Sequence, residues 1–318
     1  MTNPPTSLRR APALRPGDRV AVLTISSPAD QHALEVGLDG LRFAGLEPVV
    51  YPSALDTGSM RPYLAGDDEL RAGDLVRALT DPEIAGIIFA CGGSGAGRTL
   101  AAVDWSALQH LEPKVLAGYS DVTAVLEAAA VKLGWASLMS PMVATTTENA
   151  AHYTYGSMLR CLMAPERATR MEFPEAVTVV GGRASGVTVG GNLCLVMESL
   201  GTDTSWPAAG GILILEDESE EDYRIDRMLT HLLRAGYLDN VAGIVTGTFT
   251  NCGPLEDISA ILTERLGGLD VPMISWANVG HGGHFQTFPI GVAAELDADA
   301  RTVRFFDPPL VPATPPVG

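Results

Sequence analysis

Three residues whose side chains could together perform acyl transfer lie far apart in this sequence: Ser120, Glu216 and His281. A serine hydroxyl is too weak an acid to attack a carbonyl unaided, so an imidazole must accept its proton. A carboxylate must then hold the imidazole in the right tautomer and stabilise its charged form. The three residue types therefore suit nucleophilic catalysis, although sequence separation alone does not establish that they meet.

The first of these, Ser120, follows an apolar run at 115–118 and precedes a helical pattern, which predicts a strand that turns sharply into a helix. A serine on such a turn projects from the carboxyl edge of a sheet beside free helix amides, which favours a nucleophile. The alternative is a helix N-cap, with Asp121 complementing the helix dipole. Because Val122 replaces the second glycine of the G-x-S-x-G elbow, this stretch alone leaves both interpretations open.

A glycine-rich loop at 92–98 follows a buried strand at 86–91. It is not a good dinucleotide fingerprint, since it does not open the first strand–helix–strand unit and Arg98 stands where the third glycine belongs. The loop, which includes Gly93 and Ser94, either donates backbone amides to a carbonyl oxygen near the serine or is a tight turn only. Arg98 either fixes this loop by a salt bridge or binds a substrate carboxylate.

The carboxylate and the imidazole each have neighbours of the same type. Glu216 directly continues the apolar strand 211–215, whereas the acids at 217–222 are typical of a solvated turn. His281 and His284 lie in a glycine-rich segment with H-x-x-H spacing, but no H-E-x-x-H motif, carboxylate pair or thiol completes a ligand set. No metal site is predicted, and the role of His284 stays open.

Strand and helix patterns alternate through the first 135 residues, which predicts a mainly parallel sheet flanked by helices. Ligands bind such sheets at the carboxyl ends of the strands, where both the serine and the glycine loop fall. The alternation stops near residue 137. We therefore expect an α/β domain at 1–150, a linker at 151–180 and a second, mixed α/β domain at 181–318.

Two hairpins are predicted in the second half of the chain. Residues 177–180 and 185–189 flank a Gly-Gly-Arg turn, and residues 292–296 and 302–306 flank an Asp-Ala-Asp turn. The second of these would close the chain's last domain.

Composition excludes several classes of partner. The 318 residues carry a formal net charge of -17, which would repel nucleic acid and anionic lipid surfaces. No stretch of about 18 apolar residues occurs, and the amino terminus lacks the apolar core of a signal peptide, so a cytoplasmic location is expected. The four cysteines form no C-x-x-C pair, which argues against a zinc knuckle or a redox dithiol.

Several stretches of the chain together resemble the LD-carboxypeptidase family of serine peptidases, which includes muramoyl-tetrapeptide carboxypeptidases and the related microcin-C self-immunity peptidases. They follow the family's order and span nearly the whole chain. The matching pieces are Leu-Arg-Pro-Gly-Asp (14–18), Asp-Pro-Glu-Ile-Ala-Gly-Ile-Ile (81–88), Gly-Gly-Ser-Gly-Ala (92–96) with Arg98, Gly-Tyr-Ser-Asp-Val-Thr (118–123), Gly-Gly-Asn-Leu (190–193), Leu-Glu-Asp (215–217), Tyr-Arg-Ile-Asp-Arg-Met-Leu (223–229), and Gly-His (280–281) with Phe-Pro-Ile-Gly (288–291).

This resemblance implies a triad of Ser120, Glu216 and His281, with an oxyanion hole formed by the backbone amides of Gly93 and Asp121. It also implies two domains that meet around the triad, a homodimer, and no metal or cofactor. The implied reaction is hydrolysis of the amide between an L-configured diamino acid and the terminal D-alanine of murein tetrapeptides.

Two departures from the family pattern concern the substrate more than the chemistry. Ser94 stands where the glycine loop more often carries an aromatic or larger residue, and Leu-Met-Ser-Pro-Met at 138–142 replaces a His-Gly-Pro-Met-like stretch. Two other functions therefore stay open. One is an amidase of the same fold acting on peptidyl-nucleotide antibiotics, and the other is a non-enzymatic two-domain protein that closes on a small ligand.

Overall fold

The structure is a computed structural model that describes residues 6–145 and 152–312. Within these residues the strands are β1 (Arg19–Val22), β2 (Glu47–Val50), β3 (Ile84–Ile88), β4 (Val115–Gly118), β5 (Ser137–Met139), β6 (Arg170–Glu172), β7 (Val177–Val180), β8 (Arg183–Asn192), β9 (Gly211–Glu218), β10 (Gly243–Thr250), β11 (Met273–Ser275), β12 (Phe288–Ile290), β13 (Ala293–Asp297) and β14 (Thr302–Phe305). The α-helices are α1 (Gln31–Phe43), α2 (Pro52–Leu55), α3 (Asp68–Thr80), α4 (Ala96–Ala101), α5 (Thr123–Ala128), α6 (His152–Met163), α7 (Leu193–Ser199), α8 (Asp222–Arg234) and α9 (Leu255–Leu266). None of these helices is long and apolar enough to cross a bilayer.

The first sheet has six strands in the order β12-β5-β4-β3-β1-β2. The five strands from the amino-terminal half run parallel, and β12 pairs antiparallel with β5. This arrangement confirms the predicted parallel sheet with flanking helices. It places the ends of β3 and β4 side by side, so the glycine loop and the serine turn leave the sheet at the same edge.

Local signals explain the helices that cover this sheet. Asp30 caps α1 by accepting a hydrogen bond from the Ala33 amide at 2.8 Å, and the leucines that face the sheet are buried. Helix α3 begins after the capping carboxylate of Asp67 and ends at Thr80, because Asp81 precedes a proline and has an extended backbone. These boundaries agree with the apolar periodicity of the sequence.

The second sheet has eight strands in the order β6-β14-β13-β8-β9-β10-β11-β7. Its central strands β8, β9, β10 and β11 are parallel, whereas the strands on either side of them pair antiparallel. The second half of the chain is therefore mixed α/β, as predicted. One hydrophobic core joins the two sheets, since Leu116 and Val125 of the first half belong to the same buried cluster as Ile214 and Val245.

The predicted closing hairpin is confirmed by the antiparallel pairing of β13 with β14. The other predicted hairpin, around Gly-Gly-Arg at 181–183, is wrong. Strand β7 pairs with β11, and β8 pairs with β9 and β13, so the two strands lie apart in the sheet. A turn signal specifies that the chain changes direction, but the pairing partner is chosen by contacts distant in sequence.

The stretch expected to be a linker, 151–180, carries α6, β6 and β7. Residues Met158, Cys161 and Leu162 of α6 pack in the core cluster on one face of the first sheet. Strands β6 and β7 pair with β14 and β11, at opposite ends of the second sheet. The segment thus contributes to both sheets, and the domain boundaries at 150 and 180 stay a prediction.

Candidate active site

The turn that carries Ser120 has a backbone conformation unusual for a residue with a side chain. Ser120 has φ = 61°, in the left-handed region, and begins a single 3-10 turn, Ser120–Val122, between β4 and α5. Non-glycine residues held in this region carry strain and are frequent at functional sites. The sharp strand-to-helix turn leaves the half-buried serine at the carboxyl edge of the first sheet.

The glycine loop lies directly against this turn. A Cβ atom added at Gly92 would lie 3.0 Å from the Cβ and 3.1 Å from the Oγ of Ser120, and 3.4 Å from the amide nitrogen of Asp121. Gly93 has φ = 111°, and a Cβ there would lie 2.2 Å from the Oγ of Ser27. Glycine is therefore required at position 93, and a side chain at position 92 would press on the serine turn, because the loop backbone touches that turn on one side and Ser27 on the other.

The side chain of Asp121 is buried, with 4% of its surface exposed. Its Oδ2 atom accepts hydrogen bonds from the Oγ of Ser26 at 2.6 Å and from the backbone amide of Ala96 at 2.8 Å. Burial raises the pKa of this carboxyl to about 6, although the two hydrogen bonds oppose the shift. The carboxylate therefore connects the serine turn with the start of α4 rather than capping α5.

Glu216 and His281 form a close pair. The Nδ1 of His281 lies 2.6 Å from Oε2 of Glu216, and the same oxygen accepts the His281 backbone amide at 3.2 Å. Glu216 is fully buried in β9, while 10% of the histidine side chain is exposed. Gly280, at φ = 104°, permits this approach, since a Cβ there would lie 2.4 Å from Oε2 of Glu216.

Asn192 and Asp217 form a second layer behind this pair. The Nδ2 of Asn192 donates to Oδ1 of Asp217 at 3.0 Å and lies 3.4 Å from Oε1 of Glu216. Burial, together with the charge of Glu216, raises the pKa of Asp217 to about 6. Asn192 also caps α7, so helix, strand and carboxylate are held as one unit.

The imidazole of His281 contacts groups from both halves of the chain. Its Nε2 lies 3.4 Å from Oε2 of Glu218, and its ring centroid lies 4.6 Å from that of Tyr119. Burial alone would lower the pKa of His281, but the hydrogen bond to Glu216 and the charges of Glu216, Glu218 and Asp217 raise it above its ordinary value. Tyr119 directly precedes Ser120, so its ring links the serine turn to the imidazole.

The remaining predicted site residues contact other partners. Arg98 is exposed and makes a bidentate ion pair with Asp68, with its Nη2 atom 2.8 Å from Oδ2. Ser94 is exposed in the glycine loop, and its amide donates to the Oγ of Ser27 at 3.0 Å. His284 lines a separate cavity with Trp276. In the described part of the chain, no three histidine, cysteine or acidic side chains are grouped so as to hold a metal.

Comparisons with protein families match both halves of the chain. The model of the LD-carboxypeptidase N-terminal domain matches residues 20–140, and the model of the LD-carboxypeptidase C-terminal domain matches residues 185–296. The chain belongs to the LD-carboxypeptidase family. By its family it is an enzyme, a serine-type carboxypeptidase, and not a non-enzymatic binding protein.

Individual relatives align with nearly the whole length of this chain. A putative carboxypeptidase of Streptomyces coelicolor is 43% identical over 95% of this chain and 98% of its own length. The murein tetrapeptide carboxypeptidase of Pseudomonas aeruginosa is 30% identical over 88% of this chain and 94% of its own. Among solved structures, MccF in complex with glutamyl sulfamoyl guanosine has a TM-score of 0.86 at 22% identity, covering 95% of this chain and 99% of that one. This last likeness shows the two-domain fold.

Several residues of this site were not predicted from the sequence as functional. Tyr119 and Asn192 stand inside the Gly-Tyr-Ser-Asp and Gly-Gly-Asn motifs, so their positions were visible but their partners were not. Glu218 was assigned to a solvated turn, yet its carboxylate lies beside the imidazole. Only Gly280 carried an interpretable signal, because a glycine directly before a candidate histidine indicates close backbone approach.

Proposed function

We propose that this LD-carboxypeptidase hydrolyses the amide between the L-configured diamino acid and the terminal D-alanine of murein tetrapeptides, in the cytoplasm, during cell-wall recycling. The single observation that carries the proposal is the 2.6 Å contact between His281 Nδ1 and the buried carboxylate of Glu216. Tyr119, whose ring contacts the same imidazole at a 49° tilt, directly precedes the strained Ser120. The murein tetrapeptide carboxypeptidase among the relatives supports the choice of substrate.

In the proposed mechanism, Nε2 of His281 accepts the proton of Ser120 Oγ as this oxygen attacks the carbonyl carbon. Glu216 accepts a hydrogen bond from Nδ1, which leaves Nε2 unprotonated and stabilises the imidazolium that forms. The amides of Gly93 and Asp121 would donate to the oxyanion of the tetrahedral intermediate. The imidazolium then protonates the departing amine of D-alanine, and an acyl-enzyme remains.

Hydrolysis of the acyl-enzyme repeats the same steps with water as the nucleophile. Nε2 of His281 removes a proton from the water, whose oxygen attacks the ester carbonyl, and the proton is returned to Ser120 as the ester bond breaks. No metal or cofactor has a role in this sequence of steps. The resemblance also implies a homodimer, which light scattering of the purified protein would test.

Charge near the imidazole does not by itself choose between a peptide and a nucleotide conjugate. The Glu218 carboxylate lies 3.4 Å from Nε2 of His281. It would attract the free ammonium group of a diamino acid, but it would repel the terminal carboxylate of D-alanine as well as a phosphate or an acidic phosphoramidate. The choice of the tetrapeptide therefore rests on the murein tetrapeptide carboxypeptidase among the relatives.

The test is to incubate the enzyme with murein tetrapeptides that differ in their third residue and to identify the products by mass spectrometry. An acyl-sulfamoyl adenosine, assayed in parallel, tests the amidase alternative. We expect release of D-alanine by the wild-type protein and none by Ser120→Ala, with little hydrolysis of the adenosine conjugate. Faster turnover of the conjugate than of every tetrapeptide would reject the proposed substrate.

A further inference from the structure

We propose that Ser26 and Ser27, the two serines that follow β1, are positioning residues that hold the backbone amides of Gly93 and Asp121 in register with Ser120. This inference rests on the proposed function, because it concerns the two amides that would form the oxyanion hole. Ser27 is hydrogen-bonded to the loop that carries the Gly93 amide, and Ser26 is hydrogen-bonded to the side chain of Asp121, which carries the other amide. Their hydroxyl groups would act on the reaction through these loops.

Ser27 makes hydrogen bonds on both sides of Gly93. Its backbone amide donates to the carbonyl of Gly92 at 3.2 Å, and its Oγ accepts the amide of Ser94 at 3.0 Å while donating to the carbonyl of Tyr63 at 2.9 Å. The hydroxyl thus has both a donor and an acceptor partner. Gly93 itself packs on it, since a Cβ at that position would overlap the Ser27 side chain.

The backbone amide of Ser27 determines the direction of the Gly93 amide, and the Ser27 hydroxyl fixes the next peptide of the loop through the Ser94 amide, so Ser27→Ala removes only the second of these two bonds. In a trans peptide the C=O and N–H groups point in opposite directions, and the described chain contains no cis peptide. Because the carbonyl of Gly92 points to Ser27, the N–H of Gly93 in the same peptide plane points away from Ser27. A Cβ at Gly92 would lie 3.0 Å from the Cβ of Ser120, so the residue directly before Gly93 touches the serine turn.

Ser26 holds the other amide through the carboxylate of Asp121. Its Oγ donates to Oδ2 of Asp121 at 2.6 Å, and the same oxygen accepts the amide of Ala96 at 2.8 Å. Ser26 is fully buried and Asp121 nearly so, which strengthens both bonds. The carboxylate therefore fixes the residue after Ser120 against both β1 and the start of α4.

Thr24 forms hydrogen bonds with the backbone of both serines. The Oγ1 of Thr24 accepts the amide of Ser26 at 3.1 Å and donates to the carbonyl of Ser27 at 3.1 Å, and the Sγ of Cys91 donates to the same carbonyl. Thr24 is fully buried two residues after the end of β1, which lies between β2 and β3 in the sheet. Because β1 is paired on both sides, the segment that follows it can set the spacing of two loops that are not adjacent in the sequence.

The test compares Ser27→Ala and Ser26→Ala with Ser137→Ala. Ser137 is an apt control because it is buried in β5 of the same sheet and its hydroxyl has no hydrogen-bond partner among the described residues. For the first two variants we expect kcat on tetrapeptide to fall about 10- to 100-fold with KM nearly unchanged, since a misplaced donor weakens binding of the transition state. The control is expected to keep both constants.

A second readout does not depend on the peptide substrate. A fluorophosphonate probe labels an activated serine: the hydroxyl proton passes to Nε2 of His281, Oγ bonds to phosphorus and fluoride leaves, with the phosphoryl oxygen in the oxyanion hole. We expect Ser27→Ala and Ser26→Ala to be labelled on Ser120 more slowly by the same factor as kcat. A Ser27→Ala protein that is labelled and turns over at the wild-type rate would overturn the inference.

The two proposals can fail separately. A wild-type protein that is labelled on Ser120 but releases no D-alanine would reject the tetrapeptide as substrate, and the labelling rates of the serine variants would still decide the inference. If Ser26→Ala does not fold, Asp121→Asn and Asp121→Ala replace it, because asparagine retains an acceptor oxygen for both donors. Equal labelling rates of these two variants would refute the role of the carboxylate.

Discussion

Replacing Glu216 with glutamine is the sharpest test of the proposed triad, because it removes one negative charge with almost no change of side-chain shape. Oε2 of Glu216 accepts two donors from His281, at 2.6 Å and 3.2 Å, and Oε1 lies 3.4 Å from the Nδ2 of Asn192. The side-chain amide of a glutamine at position 216 has one oxygen, which accepts, and one NH2 group, which donates. It cannot accept from both His281 and Asn192, because one of these two donors must then face the NH2 group.

Each orientation of that amide impairs catalysis. With the NH2 group towards His281, the ring can accept only through Nδ1, so its proton moves to Nε2 and the general base is lost. With the oxygen towards His281, the amide opposes the donor of Asn192 and supplies no charge to stabilise the imidazolium. Loss of the correct tautomer in a serine triad lowers kcat about 10⁴-fold, which corresponds to about 5.5 kcal/mol of transition-state stabilisation.

The assay is steady-state release of D-alanine from a murein tetrapeptide at a pH where wild-type activity has reached its plateau. Glu218→Gln is the matched control, because it makes the same substitution in a carboxylate that lies near the other ring nitrogen. Thermal unfolding of both variants checks that they fold. A Glu216→Gln enzyme within about tenfold of the wild-type kcat would refute the assigned role and transfer it to a neighbouring acid.

Three further predictions follow from the same geometry. Glu218→Gln is expected to shift the acidic limb of the kcat/KM profile to lower pH, because that charge raises the pKa of His281 and only the neutral imidazole can act as base; an unchanged limb would contradict this. Gly280→Ala should lower kcat about 100-fold, because the added Cβ would displace the carboxylate of Glu216. Gly283→Ala is the control and should leave kcat unchanged, because Gly283 in the same loop has open space around it. Circular dichroism would check that both variants fold. Arg98→Ala should leave KM for tetrapeptide close to wild type, because its ion pair is an exposed structural contact, while a large rise in KM would instead indicate recognition of the substrate carboxylate.

Local features of this chain were readable from its sequence because they depend on neighbouring residues. Apolar spacing predicted the alternating strands and helices of the amino-terminal half, and the proline at position 82 marks the end of α3 at Thr80. The continuation of an apolar strand into Glu216 likewise indicated a rigidly held acid, and the structure shows its side chain fully buried. These signals act over a few residues, so no tertiary contact is needed to recognise them.

The choice of partners was decided only in the folded chain. Strand β7 pairs with β11 instead of with its neighbour β8, and β12, from the carboxyl-terminal half, completes the first sheet beside β5. In the same way, the ring of Tyr119 contacts the imidazole of His281, about 160 residues away in sequence, and Asn192 donates a hydrogen bond to Asp217. Periodicity specifies which face of an element is buried, but which element covers it depends on the packing of both sheets around their shared core.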